Sequence, residues 1–321
     1  MKFDLRVIRR KNLYLGFSAI MVAVSLLFFL FIPLNLSVDF KGGELLQLQF
    51  VKSLNRETLN STFDSLQSQI PQLKNKRLQY SEDNTIVLRT EELKDSQRDI
   101  LTKALTEKVG KYEIVKNDKV GPTIGKELTK NAIWALIIGS ILIIVYVTIR
   151  FEFVYAVAGL LALLHDIIIT MGLIALFRYE IDTPFIAAIL TILGYSINDT
   201  IVVFDRIREN EKKEGKIKDY STIIEESVDQ VFVRSVNTSL TTILAITVLI
   251  IFGGDSLKTF SMALLIGMIF GSYSSVFMAS PLVYLMRKYR KPKNKTKKEE
   301  EKRKKNGKTV NGYDENEKVL V

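Results

Sequence analysis

A carboxylate inside an apolar helix is costly, so the stretch LGYSINDTIVVFDRIREN, residues 193–210, is where chemistry is sought first. It begins as a membrane-grade apolar run, carries Asn198 and Asp199, and ends in a charge cluster with Asp205 and Arg206. Placing an aspartate at the centre of a spanning helix costs roughly 2.5–3.5 kcal/mol on insertion scales. Asp205 and Arg206 sit near the polar end and can snorkel to the interface, whereas Asp199 lies about 9 Å deeper at 1.5 Å rise per residue. Two readings of Asp199 stand side by side. It is a packing residue hydrogen-bonded to a neighbouring helix, or it is a protonatable relay that cycles between charged and neutral forms.

Two further groups raise the same alternative. His165 and Asp166 form an apolar-flanked pair in ALLHDIIIT. They make an interhelical hydrogen bond or join Asp199 in a proton path, since histidine titrates near neutral pH. Arg234, in SVDQVFVRSVNTSLTT, is an ordinary basic anchor at a membrane entry or a counter-charge that meets Asp199. Asn237, Thr238, Ser239, Thr241 and Thr242 continue a polar face beyond it.

The elements that position these groups are apolar blocks of spanning length. About 20 apolar residues cross a bilayer, and six stretches qualify: roughly 13–33, 128–149, 153–177, 184–205, 237–253 and 260–286. The first lacks a small-residue cleavage site and reads as an uncleaved span. On a helical wheel, Thr191, Tyr195, Asn198, Asp199, Asp205 and Arg206 share an arc of about 120° with Val202, and that arc must face other helices or water. The opposite side, with Leu193, Ile197, Ile201 and Phe204, can face lipid. In the sixth span Gly267, Gly271, Ser275 and Ala279 recur every four residues, a seam for close helix packing. Ser280-Pro281 is expected to kink its end.

Lysine and arginine set the orientation. Residues 1–12 hold Lys2, Arg6, Arg9, Arg10 and Lys11, and the 206–236 loop holds seven more. The opposing short loops hold only Arg178 and Lys258. Residues 1–12, the 206–236 loop and the tail are therefore expected in the cytoplasm, and residues 34–127 outside. That outside region reads as strand 44–51, helix 55–69, strand 76–81, a turn at Asp83-Asn84, strand 85–90, helix 92–109 and strand 112–118. The order βαββαβ is that of a ferredoxin-like α+β domain. The predicted fold is thus a bundle of six transmembrane helices with this domain between helices 1 and 2. From Arg287 onward there are 14 Lys/Arg against 6 Asp/Glu. That basic tail, 287–321, is too charged to build a core and is expected to be disordered, with loose attraction to anionic lipid or ribosomes.

Composition removes several classes of chemistry. The chain of 321 residues has no cysteine and a single histidine, which excludes disulfides, thiol catalysis and a multi-histidine metal cage. It has no Walker loop for ATP. No enzyme signature and no cofactor is expected, with protons as the only coupling ion.

The segments VDFKGGE at 38–44, GYSINDTIVVFDRIREN at 194–210, VNTSLTT at 236–242 and GSYSSVFMASP at 271–281 together resemble the SecF family. SecF is the smaller partner of the SecD–SecF export complex, related to the RND exporters. The resemblance runs from about 1 to 290; the tail lies outside it, and Lys41 stands where the family often has a small polar residue. It implies a bacterial inner-membrane subunit that works with a separate SecD chain beside the SecY channel and its accessory proteins. There it uses the proton motive force to help draw preproteins across. It also implies that Asp199 and Arg234 serve proton passage, with His165, Asp166 and Asn198 as further candidates. Two other classes share the intramembrane carboxylates: an RND-type exporter of small molecules or lipids, and a scaffold in which Asp199 only packs. An external region of about 90 residues is small for an exporter's substrate pockets.

Overall fold

In the computed structural model, residues 5–80, 84–254 and 257–290 are described, the last three without their side chains. The basic tail from 291, and Asp83 of the expected hairpin turn, lie outside the described residues. Among those described, six helices are long and apolar enough to cross a membrane. They are α1 (Lys11–Phe31), α5 (Pro122–Arg150), α6 (Phe153–Leu176), α7 (Thr183–Glu214), α8 (Tyr220–Phe252) and the pair α9 (Lys258–Phe277) with α10 (Ala279–Arg290).

Helices α7 and α8 outrun the apolar segments that announce them. The polar stretch 206–236 is helical except for residues 215–219, and its continuation is stapled by ion pairs of the Lys213–Glu209 kind at one-turn spacing. The sixth span breaks at Met278, between α9 and α10. Pro281 supplies the reason: it has no N–H to give to the carbonyl of Phe277, four residues back.

Between α1 and α5 lies a small α+β domain. A short helix α2 (Val38–Lys41), absent from the sequence reading, leads into β1 (Gly43–Phe50), α3 (Arg56–Leu66), β2 (Arg77–Tyr80), β3 (Thr85–Thr90), α4 (Asp95–Lys108) and β4 (Tyr112–Val120). The sheet order is β2-β3-β1-β4, with every pair antiparallel. Alternation along the strands gives two unlike faces. Leu46, Leu48, Phe50, Ile86 and Leu88 pack with Leu59 and Phe63 of α3 and Leu101 and Leu105 of α4. Gln47, Val87 and Arg89 look the other way, across a cleft of about 220 Å³, toward residues 177–182 between α6 and α7.

The bundle has a centre and a periphery. About half of the apolar window of α6, α7 and α9 is buried inside the chain, against 6% for α5 and 11% for α1. Leu193, Ile197 and Phe204 do not take the lipid-facing place that the helical wheel allows them; they are buried in the core, and Ile201 is half-buried. Gly159 of α6 makes room for Ile197 and Phe204. A wheel separates polar from apolar, but in a membrane both the lipid face and the core face of a helix are apolar.

Candidate functional site

The groups singled out by sequence meet where α6, α7, α8 and α9 converge. Asp199, on α7, is 8% exposed and accepts hydrogen bonds from two serines. Ser235 of α8 donates to its carboxylate at 2.5 Å, and Ser275 of α9 donates to Oδ2 at 2.5 Å. Asp199 makes no ion pair among the described residues. Asp166, on α6, is fully buried. Its Oδ1 faces His165 Nδ1 at 2.9 Å, and its Oδ2 accepts from Ser196 of α7 at 2.6 Å and from Ser274 of α9 at 2.8 Å. His165 lies against the ring of Tyr273, and its Nε2 has no partner among the described residues.

Ser274 and Ser275 are consecutive, yet one serves the carboxylate of α6 and the other that of α7. Successive residues on a helix point about 100° apart, so a single turn of α9 wedged between α6 and α7 reaches both. The small-residue seam makes the wedge possible. A side chain at Gly267 would overlap Ile192, and one at Gly271 would stand 3.2 Å from Ser196 Cβ and 3.5 Å from Asp166 Oδ2. Ser275, the third member of that seam, bonds to the Asp199 carboxylate as well as packing. Ser272 adds a bond to Ser239 of α8 at 2.6 Å. Hydroxyls both donate and accept, so the arrangement holds two carboxylates inside the bundle through hydroxyls that can serve either protonation state.

The structure does not bring every candidate to this centre. Arg234 is exposed, although the next residue, Ser235, is the one that holds Asp199. Asn198 is exposed beside it on α7, as are Asn237, Thr238 and Thr241 on α8. Together they form a polar stripe on the bundle's outer surface, bordered by Tyr195, whose hydroxyl lies 3.1 Å from that of Thr242. Asp205 and Arg206 do not pair with each other. Asp205 stands 3.4 Å from Arg150 of α5, and Arg206 donates to Gln230 of α8 and pairs with Glu209. Sequence reasoning passed over Ser235 and Ser274. The available signal was the density of hydroxyls around Gly271 and after Arg234, at the spacing that faces Asp166 and Asp199.

Six apolar helices of spanning length, with one α+β domain between the first two, place the chain in the class of multi-pass membrane proteins. The family model "Protein export membrane protein SecD/SecF, C-terminal" matches residues 100–289. Protein translocase subunit SecF of Sebaldella termitidis is 50% identical over 92% of this chain and 96% of its own length. The SecF subunit of Synechocystis is 42% identical over 82% and 86%. The crystal structure of SecDF from Thermus thermophilus, described as a translocon-associated membrane protein, superposes with a TM-score of 0.81 at 32% identity. It covers 90% of this chain and 39% of that longer one. A SecDF structure in a super-membrane-facing form superposes at 0.65 with 34% identity, covering 92% and 40%. The chain belongs to the SecF family of protein translocase subunits, transmembrane components of the Sec pathway.

Proposed function

We propose that this chain couples the proton motive force to late preprotein translocation across the bacterial cytoplasmic membrane, acting with SecD. The observation that carries the reading is Asp199: buried where α7, α8 and α9 meet, and held by serine hydroxyls rather than by a cation. Ionised, it accepts from both serines; neutral, it holds them less strongly. Its charge state therefore biases how α8 and α9 sit on α7. Turning α8 by one residue, about 100°, brings Arg234 to the place of Ser235 and gives the carboxylate a counter-charge. His165, Asp166 and Asn198 are assigned to the same proton route. One charge moved through 100 mV supplies about 2.3 kcal/mol, enough to tip a marginal two-state equilibrium.

The partners follow from the family. The SecDF relatives carry the matching region as about two-fifths of a longer chain, which supports a separate SecD chain as partner. The SecY channel with its accessory membrane proteins, the preprotein and membrane lipids complete the set, and the basic tail contacts lipid headgroups or ribosomes. We read the α+β domain as ferredoxin-like and external, with residues 1–12 and 206–236 cytoplasmic.

Asp199→Asn keeps the shape and removes the titration. In inverted vesicles it is expected to abolish the stimulation of translocation by an imposed proton gradient, with protein level and SecD association near normal. Full stimulation in the variant makes Asp199 a packing residue and sinks the proposal. The orientation has its own test: protease added to intact spheroplasts should cut within 34–127 and spare Gly215, and the reverse pattern inverts the topology.

A further inference from the structure

The family motif VDFKGGE at 38–44 takes no part in the carboxylate network, yet it touches the helix that carries Asp199. Asp39, in α2, accepts from the backbone N–H of Thr183 at 2.9 Å and from its hydroxyl at 3.0 Å. Thr183 is the first residue of α7. One residue beyond the α2 cap, Gly43 has φ +128, and a Cβ there would stand 2.5 Å from the carbonyl oxygen of Thr90, so the turn into β1 needs glycine. The sheet reaches the same place from its second face: Arg89 of β3 makes a two-pronged ion pair with Glu180, both side chains largely buried. The chain leaving α1 binds there as well. Leu36 and Ile181 form a parallel bridge, with Ser37 N donating to Ile181 O at 2.9 Å and Ile181 N donating to Asn35 O at 2.8 Å. Arg178 closes the set by donating to Pro33 O at 2.8 Å.

We propose that residues 178–183 are the rigid joint through which a shift of α7 moves the α+β domain, with Asp39, Arg89 and Glu180 as its positioning residues. The covalent connectors α1 and α5 are peripheral to the bundle, whereas α7 is central and holds Asp199. A domain gripped at the start of α7 follows that helix directly. Three separate elements (the α1 exit strand, α2 and β3) hold the same six residues, a density of polar contacts that a passive loop does not need. The proposal rests on the proton-coupling reading of Asp199 for the source of the motion.

The test uses the full chain with its partner subunits in inverted vesicles and reads the ratio of translocation with and without a proton gradient. Arg89→Glu and Glu180→Arg singly are expected to cut the gradient stimulation at least fivefold, and the double exchange to restore at least half of it. Protein level and partner association, read alongside, separate the joint from a folding role: the single variants are expected to keep both near the parent's while losing stimulation. Since the chain has no cysteine, Leu36→Cys with Ile181→Cys can be oxidised to staple the joint, and a joint that works closed keeps its stimulation when stapled. Asp199→Asn, run in parallel, reports on the coupling reading alone. If Asp199→Asn loses stimulation while Arg89→Glu keeps it, the joint fails and the coupling reading stands. Full stimulation in Arg89→Glu, no rescue by the double exchange, or loss on stapling each overturns the joint.

Discussion

Asp166 and Asp199 are met by consecutive serines of α9, Ser274 and Ser275, yet their surroundings differ. Asp166 is sealed at the centre, 0% exposed, with three side-chain partners from three helices and its own histidine neighbour among them. Asp199 is 8% exposed, has only two serines, and borders the outward stripe of Asn198 and Arg234. On the coupling reading proposed above, the fully enclosed Asp166 is the anchor. Asp199, which keeps a side toward a polar surface, is on that reading the carboxylate that exchanges a proton or a partner. The same residue type on two central helices then divides, on the same reading, into a fixed point of the proton route and a movable one.

Breaking the anchor should have the largest effect. Asp166→Ala strands the hydroxyl of Ser196 and the ring of His165 in the core and leaves Ser274 with Gly271 O alone, and buried polar groups left without partners cost about 3 kcal/mol together. The expected result is a steep fall in thermal stability in detergent and in steady-state protein level. A variant as stable as the parent would show that Asp166 is not the anchor. Ser235→Ala and Ser275→Ala sharpen the other side. Each removes one charge-assisted hydrogen bond, worth about 1.5–3 kcal/mol to the ionised state of Asp199. They should weaken the gradient response more than they lower the melting temperature. Equal losses in both measures would make Asp199 an anchor like Asp166.

The smallest expected effect lies at a third carboxylate, where α7 starts. Asp182 caps that helix through Phe185 N at 3.0 Å. Burial, assisted by the neighbouring charges of Asp39 and Glu180, pushes its pKa up from 3.8 to about 6. Its folded-state pKa exceeds the unfolded one, so its contribution to stability is fully present below about pH 4 and is lost as pH rises through about 6. Asp182→Asn keeps a good cap and removes the titration. The variant should gain on the order of 1 kcal/mol over the parent at pH 8, after allowance for solvent screening, and nothing at pH 4. Melting curves at the two pH values decide this; the same difference at both would mean that Asp182 does not titrate as described.

Much of this molecule was legible from its residues in order. Apolar length marked the six long helices, because a bilayer of fixed thickness demands about 20 such residues. Alternation in LLQLQF and TIVLR marked β1 and β3, because a sheet with one covered face sorts side chains by parity. The cost of burying charge marked Asp166 and Asp199, because no helix carries a carboxylate at that depth without a partner. The sequence could not say which partner. Arg234 was the natural choice by charge, and the structure gives Asp199 to Ser235, the next residue, because the rotation of α8 about its own axis is set by packing. Nor could it say that Leu193, Ile197 and Phe204 point inward. Lipid and protein core are equally apolar, so hydrophobicity is silent on which of them a side chain meets. That choice, and with it the division between a sealed Asp166 and a bordering Asp199, belongs to the way small residues on α9 let it press between α6 and α7.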